Sequence, residues 1–284
     1  MNREGSTGKI QQGSVSAFEK NRPEFEKFLE DQLDFHGKPL VLRKAIRHAV
    51  LGGGKRLRPF LCVSAAQAVA GRLVRHALPY AAAIEYLHAY TLVHDDLPAM
   101  DNDRERRGKP TVWVEFGEAN AVLAGDFLQA LAFECVLSEW HPSALLAGAV
   151  LAEAATSVVS GQVLDLKHAG TKSVKIIQKI HALKTAALFE AAVMMGAHAA
   201  DATNPEVLAL REYAKNFGFA FQIADDLADA RQGEKKELSI CNAMSVECAK
   251  KLAAEHVQSA LDALRCFKPE NVVPLVECVL KIIK

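Results

Sequence analysis

Apolar residues recur every three or four positions through nearly the whole of this chain, which is the spacing of one face of an α-helix. With 17 glycines and 10 prolines in 284 residues, there are few places where such helices can stop. The pattern predicts helices over 16–35, 38–51, 57–70, 78–97, 111–140, 142–166, 172–200 and 205–230, with two more closing the chain. Gly52, Gly53 and Gly54 end the second of these. Strand signals are nearly absent, since no alternating apolar–polar run is flanked by an Asn-Gly or Asp-Gly turn. No fixed-period repeat and no linker divides the chain. Long Ala-rich helices without a break predict an all-α fold: a single large helical bundle, one domain over 1–284, with 1–16 as a loose N-terminal leader.

Half of the residues are hydrophobic and 24% are charged, which suits a soluble globular protein with a sizeable core. The 34 basic and 34 acidic residues cancel, so global charge excludes nucleic acid as the expected partner. The six cysteines form no Cys-x-x-Cys pair and suggest neither a zinc site nor a disulfide framework. Buried, reduced thiols in a cytoplasmic protein are expected instead. The N-terminus lacks a signal-peptide core. The longest apolar run, "SALLAGAVLAEAATSVVSG", is interrupted by Glu153, so no membrane span is expected.

Two acidic clusters stand out, each closing an apolar stretch. "LVHDDLPAMDND" carries Asp95, Asp96 and Asp101, and "FQIADDLADA" carries Asp225, Asp226 and Asp229. Asp225 and Asp229 are four apart and share a helix face. Pro98 distorts the helix and can bring Asp101 round beside Asp95. Carboxylates crowded in this way repel unless a positive charge is shared among them. A hard divalent cation such as Mg²⁺, held by one or two carboxylates and substrate phosphates, meets that need. Phosphate donors are available: Lys55, Arg56 and Arg58 in "GGGKRLRP", Arg106 and Arg107 after the first cluster, and Lys184 with Thr185 in "HALKTAAL". His88 lies two turns before Asp95, roughly on its side, within reach of the same anion.

These residues, in this order, resemble the trans-type isoprenyl diphosphate synthases. "GGGKRLRP", "HAYTLVHDDLPAMDND", "RRGKPT", "SGQVLDL", "HALKTAAL" and "FQIADDLADA" match the family's motifs from about Lys38 onward. Pro98 and Ala99 fill the insertion typical of the bacterial farnesyl diphosphate synthase type. The resemblance implies a bundle of the isoprenoid synthase type around a deep apolar cavity. It implies Mg²⁺, three ions per active site, on Asp95, Asp96, Asp101, Asp225 and Asp229, with Asp226 assisting. Arg106, Lys184, Thr185 and Gln222 would contact the allylic diphosphate. Lys55, Arg58, His88 and Arg107 would hold isopentenyl diphosphate, while Gln162 and Asp165 would line the cavity. The implied reaction ionises the allylic diphosphate, and the double bond of isopentenyl diphosphate attacks the cation. Asp95, Asp96, Asp101, Lys184 and Asp225 would carry that chemistry.

A chain growing from the mouth of such a bundle runs down the helix before Asp95 and meets Tyr90 and Thr91. Tyr90, five residues before Asp95, stands where the resembling bacterial farnesyl synthases carry an aromatic floor. Farnesyl diphosphate from dimethylallyl and geranyl diphosphates is therefore the expected product, with geranylgeranyl diphosphate the alternative. A class I terpene cyclase fits less well, because its second metal motif contains Asn, Ser and Glu where this chain has "DDLAD". A non-catalytic partner subunit is also disfavoured, because both acidic motifs are present. Two departures from the family stand out: Ser160 replaces the first glycine of its Gly-Gly-Gln element, and the segment after Asp229 is shortened. Glu237 falls where the family has a diphosphate-reaching lysine, with Lys235 and Lys236 nearby. The apolar "AVLAGDFLQALAFECVL" and the family likeness both suggest a homodimer.

Overall fold

The computed structural model describes residues 17–35, 37–232 and 238–282. The leader at 1–16 lies outside them, as do Lys235, Lys236 and Glu237. Helices α1 (Ala17–Gln32), α2 (Leu40–Leu51) and α3 (Leu57–Ala70) lead to α4 (Ala77–Asp95). Every residue of α4 from Pro79 to Leu87 is buried. A helix buried all round its circumference must be central. It packs against α3, α6 (Glu118–Leu137) and α9 (Ala187–Ala199). Small side chains allow this closeness: α6 buries Ala121, Ala124, Gly125 and Ala132. Helix α7 (Ala144–Lys167) packs on α9, and α10 (Asn204–Gln232) packs on α9 and on α11 (Val246–Ala263). Helix α12 (Pro269–Leu280) returns to α3. A second, smaller apolar cluster joins Ile177, Ile223, Leu227, Ile240, Ala249 and Ala253.

The all-α expectation holds, with three local differences. A two-stranded antiparallel ladder, β1 (Glu105–Arg106) with β2 (Lys109–Pro110), follows α4. Its turn residues Arg107 and Gly108 both have positive φ (57° and 74°), as a tight hairpin turn requires. The predicted helix over 111–140 is broken at Gly117, whose φ of 86° favours glycine, into α5 (Val112–Phe116) and α6. The predicted helix over 172–200 contains a π-helical turn, Ala182–Ala186, between α8 (Val174–His181) and α9.

All six cysteines are free, but only Cys62 and Cys278 are fully buried; Cys248 and Cys266 are exposed. By length and mean hydropathy alone, Glu118–Leu137, Ala144–Lys167 and Val174–Ala199 are apolar enough to cross a membrane. The sequence expectation of no span counted only uncharged runs. Only Val174–Ala199 is mostly buried in the bundle; Glu118–Leu137 and Ala144–Lys167 are 39% and 44% buried and leave apolar side chains such as Leu123, Leu145 and Val163 exposed.

Candidate active site

Helix α4 stops at Asp95 instead of bending through Pro98. The chain then folds back on the helix end: Asp101 N–H donates to the Asp95 carbonyl at 2.9 Å, and Asn102 N–H donates to that of Leu97 at 3.1 Å. This brings Asp101 beside Asp95, as the sequence suggested, by a turn and not a kink. Asp96 points the other way and is 3% exposed. Arg106 Nε donates to its Oδ1 at 2.7 Å and the Arg106 fork also reaches Asp103 at 3.1 Å. The hairpin thus commits Arg106 to an ion pair with Asp96, and the pair lines a pocket together with His48, Arg107 and Lys109.

Burial pushes the Asp95 carboxyl up to about 6, against the pull of the Lys184 ammonium and with the push of Asp101. Burial also raises Asp101, again opposed by Lys184. A carboxyl whose folded value lies above its unfolded 3.8 costs stability once ionised. That cost is absent below about pH 4 and grows as pH rises through about 6. Without metal, Asp95→Asn is therefore expected to be more stable than the wild type at pH 7.5. Because Asp95 is partly solvated, the gain should be of order 1 kcal/mol, shrinking toward zero near pH 4. Urea unfolding in EDTA at both pH values measures this, and equal stabilities at pH 7.5 would contradict it.

In α10, Asp225 is exposed at the surface and Asp229 partly so, while Asp226 turns inward and is 1% exposed. Asp226 accepts from Ile240 N–H at 2.7 Å and from Gln222 Nε2 at 3.1 Å, and its Oδ2 lies 3.6 Å from His181 Nε2. It anchors the segment after the second cluster, a task that spacing alone did not reveal.

The π turn stands between the clusters. Thr185 Oγ1 donates to Gln222 Oε1 at 2.8 Å, on the helix of Asp225, while Lys184 is the strongest charge acting on Asp95 and Asp101. Lys184 Nζ donates to Asp165 Oδ2 at 2.6 Å. The turn fits because its neighbours are glycines. A Cβ at Gly161 would sit 2.6 Å from Lys184 N, and one at Gly218 would sit 2.7 Å from Ala186 Cβ. Such widened turns recur at functional sites. Gln162 is buried beside it, and its Oε1 has no hydrogen-bond partner.

The predicted cations converge on a second feature. Lys55, Arg58, His88 and Arg107 line one cavity of about 560 Å³, with Phe221 and Glu85 also on its wall. The local cause is Arg56, which adopts φ 50° at the start of α3 and is 3% exposed. It is clamped by Glu85 at 2.6 Å, Glu26 at 3.0 Å and the Val50 carbonyl at 2.8 Å. That clamp turns the glycine loop so that Lys55 and Arg58 face the cavity. Glu26 and Glu85 went unrecognised because their partner lies about 30 residues away in sequence.

Arg58 lies over the Phe189 ring at 4.5 Å, and its buried Nε has no hydrogen-bond partner. Burial pushes Arg58 down to about 10, with Glu85 opposing and Arg107 adding to the fall. Burial and the charges of Arg58 and Arg107 hold His88 well below its ordinary value, so it is neutral at pH 7. Arg107 Nη1 donates to the Gly53 carbonyl. Three cations and a neutral imidazole on the wall of one cavity, beside the acidic Glu85, are a donor set able to receive an anion.

The donor set fits divalent Mg²⁺. Among the described residues no three His, Cys, Asp or Glu side chains already converge on one point. The fit rests instead on carboxylate pairs: Asp95 with Asp101 at the end of α4, and Asp225 with Asp229 one turn apart on α10. Each can serve an ion that takes one or two carboxylates and phosphate oxygens. Tyr90 is 9% exposed, edge-on to His94 with ring centroids 5.0 Å apart. His94 in turn meets the Val122 carbonyl at 3.0 Å, so Tyr90 lies on the α6 side of α4. Thr91, one turn below Asp95 on the same face, donates its hydroxyl to the His88 carbonyl.

The sequence signature described as polyprenyl synthetase matches residues 39–240. The chain is 40% identical over 260 residues to the chloroplastic geranylgeranyl pyrophosphate synthase of Capsicum annuum, covering 84% of this chain and 70% of that one. It is 42% identical over 225 residues to the geranylgeranyl diphosphate synthase of Cyanophora paradoxa, covering 75% and 74%. Its structure superposes on an FPP/GFPP synthase from Zymomonas mobilis with a TM-score of 0.84 at 37% identity, covering 94% and 97%.

Proposed function

Because the chain belongs to the polyprenyl synthetase family, we propose that it is a Mg²⁺-dependent prenyltransferase. It joins isopentenyl diphosphate head-to-tail to an allylic diphosphate and releases diphosphate. The observation that carries this reading is the pairing of two unlike sites. Asp101 is folded back beside Asp95 at the end of α4, and Asp225 and Asp229 sit one turn apart on α10. Lys55, Arg58 and Arg107 line a cavity to which α4 gives His88 and α10 gives Phe221. One such pair suits two diphosphates that must be told apart. The cations hold isopentenyl diphosphate directly, and neutral His88 adds a hydrogen bond without adding charge. Bound Mg²⁺, up to three ions, would supply Lewis acidity toward the other, departing diphosphate. Lys184 and Thr185 meet that leaving group from the π turn. The allylic C–O electron pair leaves with the diphosphate, the double bond of isopentenyl diphosphate attacks the cation, and the proton lost afterward goes to the released diphosphate. Asp96, Arg106 and Gln222 join this set only by exchanging their present partners.

Geranylgeranyl diphosphate is the product we favour, ahead of the farnesyl diphosphate expected from Tyr90. The Capsicum and Cyanophora relatives are named for the twenty-carbon product and support it. Thr91 is one turn before Asp95 on α4 and Tyr90 lies on the α6 side of that helix, so a product growing along the Asp95 face would meet the smaller Thr91. A fifteen-carbon product is the second reading, favoured by the Tyr90 ring. The wild type is expected to release mainly twenty-carbon product, and Tyr90→Ala to lengthen it by at least one five-carbon unit. Chromatography of dephosphorylated products measures both. A fifteen-carbon main product would return the assignment to farnesyl, and an unchanged distribution in Tyr90→Ala would remove Tyr90 from the chain's path.

We also propose a homodimer. Leu123 and Leu137 on α6, with Leu145, Leu146, Val163 and Leu166 on α7, form an exposed apolar surface. Light scattering at micromolar concentration should give twice the chain mass, and a monomer would contradict the proposal.

A further inference from the structure

Arg106 and Arg107 are neighbours in sequence and serve different places. Arg106 reaches Asp96 at the end of α4, while Arg107 lines the cationic cavity and donates to the Gly53 carbonyl. What aims them is the hairpin of β1 and β2, with only two residues in each strand. A two-stranded ladder is marginal in water by itself, so this one has to be fixed from outside. The fixing point is the backbone carbonyl of Asp103. It accepts from the Thr111 hydroxyl at 2.9 Å and from the Trp113 indole N–H at 2.8 Å, which occupies both of its lone pairs. Next to it, Thr111 N–H donates to the Arg104 carbonyl at 3.1 Å, and the Arg104 guanidinium lies over the Trp113 ring, 5.1 Å from its centre. The other strand is tied as well: His48 Nε2, on α2, bonds the Pro110 carbonyl at 2.8 Å.

Thr111 shows the arrangement most clearly. It stands at the N-cap of α5, where a threonine hydroxyl ordinarily accepts from an N–H of the first turn. Here it makes no such bond, and its hydroxyl, on a residue 2% exposed, goes to Asp103 instead. We infer that Thr111 and Trp113 are positioning residues: by pinning the Asp103 carbonyl they set the aim of both Arg106 and Arg107, and so the hold on both diphosphates. The identity of those diphosphates rests on the prenyltransferase reading above, but the pin does not. One pin serves two arginines, so loosening it weakens both ligands together. Neither Thr111 nor Trp113 adds charge; both act through the arginines.

The test uses the full chain with Trp113→Phe, which keeps an aromatic ring and removes the N–H, and with Thr111→Val, which keeps the shape and removes the hydroxyl. Calorimetry with inorganic diphosphate in EDTA reads the cations without metal. Both variants are expected to bind it at least fivefold more weakly than the wild type. Thr111→Ser, which restores the hydroxyl, should stay within twofold. In prenyl transfer, KM for isopentenyl diphosphate and KM for dimethylallyl diphosphate should each rise at least fivefold in Trp113→Phe, with kcat within threefold of the wild type. A merely structural role would lower the unfolding midpoint without that split. If Thr111→Val fails to fold by circular dichroism, Trp113→Phe carries the same expectation. Unchanged diphosphate binding in folded Trp113→Phe overturns the inference, as does a wild type that takes up no diphosphate in EDTA. A KM that rises for fewer than both substrates overturns it too. Weaker diphosphate binding in Trp113→Phe, in a chain whose wild type forms no prenyl product, would sustain the pin and remove the prenyltransferase reading instead.

Discussion

Replacing Asp95 or Asp225 by alanine is expected to lower turnover by roughly three orders of magnitude or more, because each carboxylate supports the step with the greatest charge development. The fold should survive both changes. Asp95 is electrostatically uncomfortable where it stands, raised to about 6 by burial and by its acidic neighbours. Asp225 lies exposed on a long helix whose packing face is elsewhere. Single-turnover product formation, with circular dichroism as the control for folding, separates loss of chemistry from loss of structure. Near-normal turnover in either folded variant would sink the two-cluster mechanism.

Arg56→Ala should act in the opposite sense, on the fold before the chemistry. Its guanidinium is the buried partner of Glu85, which is itself 5% exposed. Removing one member of a buried ion pair strands the other charge and costs about 3–5 kcal/mol. The glycine loop should loosen as well, so Lys55 and Arg58 lose their common aim. The double variant Arg56→Ala with Glu85→Ala should recover part of the loss, since no charge is then stranded. Urea unfolding of the single and double variants measures this. A single variant within 1 kcal/mol of the wild type would mean that Arg56 is not the clamp.

The difference between Arg56 and Arg58 shows where sequence reading stops. Both lie in "GGGKRLRP" and both line the cavity, and nothing in the spacing says which is clamped by carboxylates and which is left to meet an anion. The assignment depends on Glu26 and Glu85, brought in by α1 and α4 from about 30 residues away. The helices were legible because their periodicity is local. So were Asp225 and Asp229, since an i, i+4 pair shares a face wherever the helix goes. Other features were not. The hairpin at 105–110 turns on Arg107-Gly108, which lacks the usual Asn-Gly signal. The π turn depends on Gly161 and Gly218 from two other helices. The pairing of Asp96 with Arg106 depends on that hairpin. Product length was the least legible, because Tyr90 shows its side of α4 only when α6 is in place.

The most direct measurement is incorporation of labelled isopentenyl diphosphate by the purified chain supplied with dimethylallyl diphosphate, with Mg²⁺ and with EDTA. The account predicts labelled prenyl diphosphates of more than ten carbons with Mg²⁺, and none above background with EDTA. Labelled product in EDTA, or none with Mg²⁺ in a protein that is folded by circular dichroism, would contradict it.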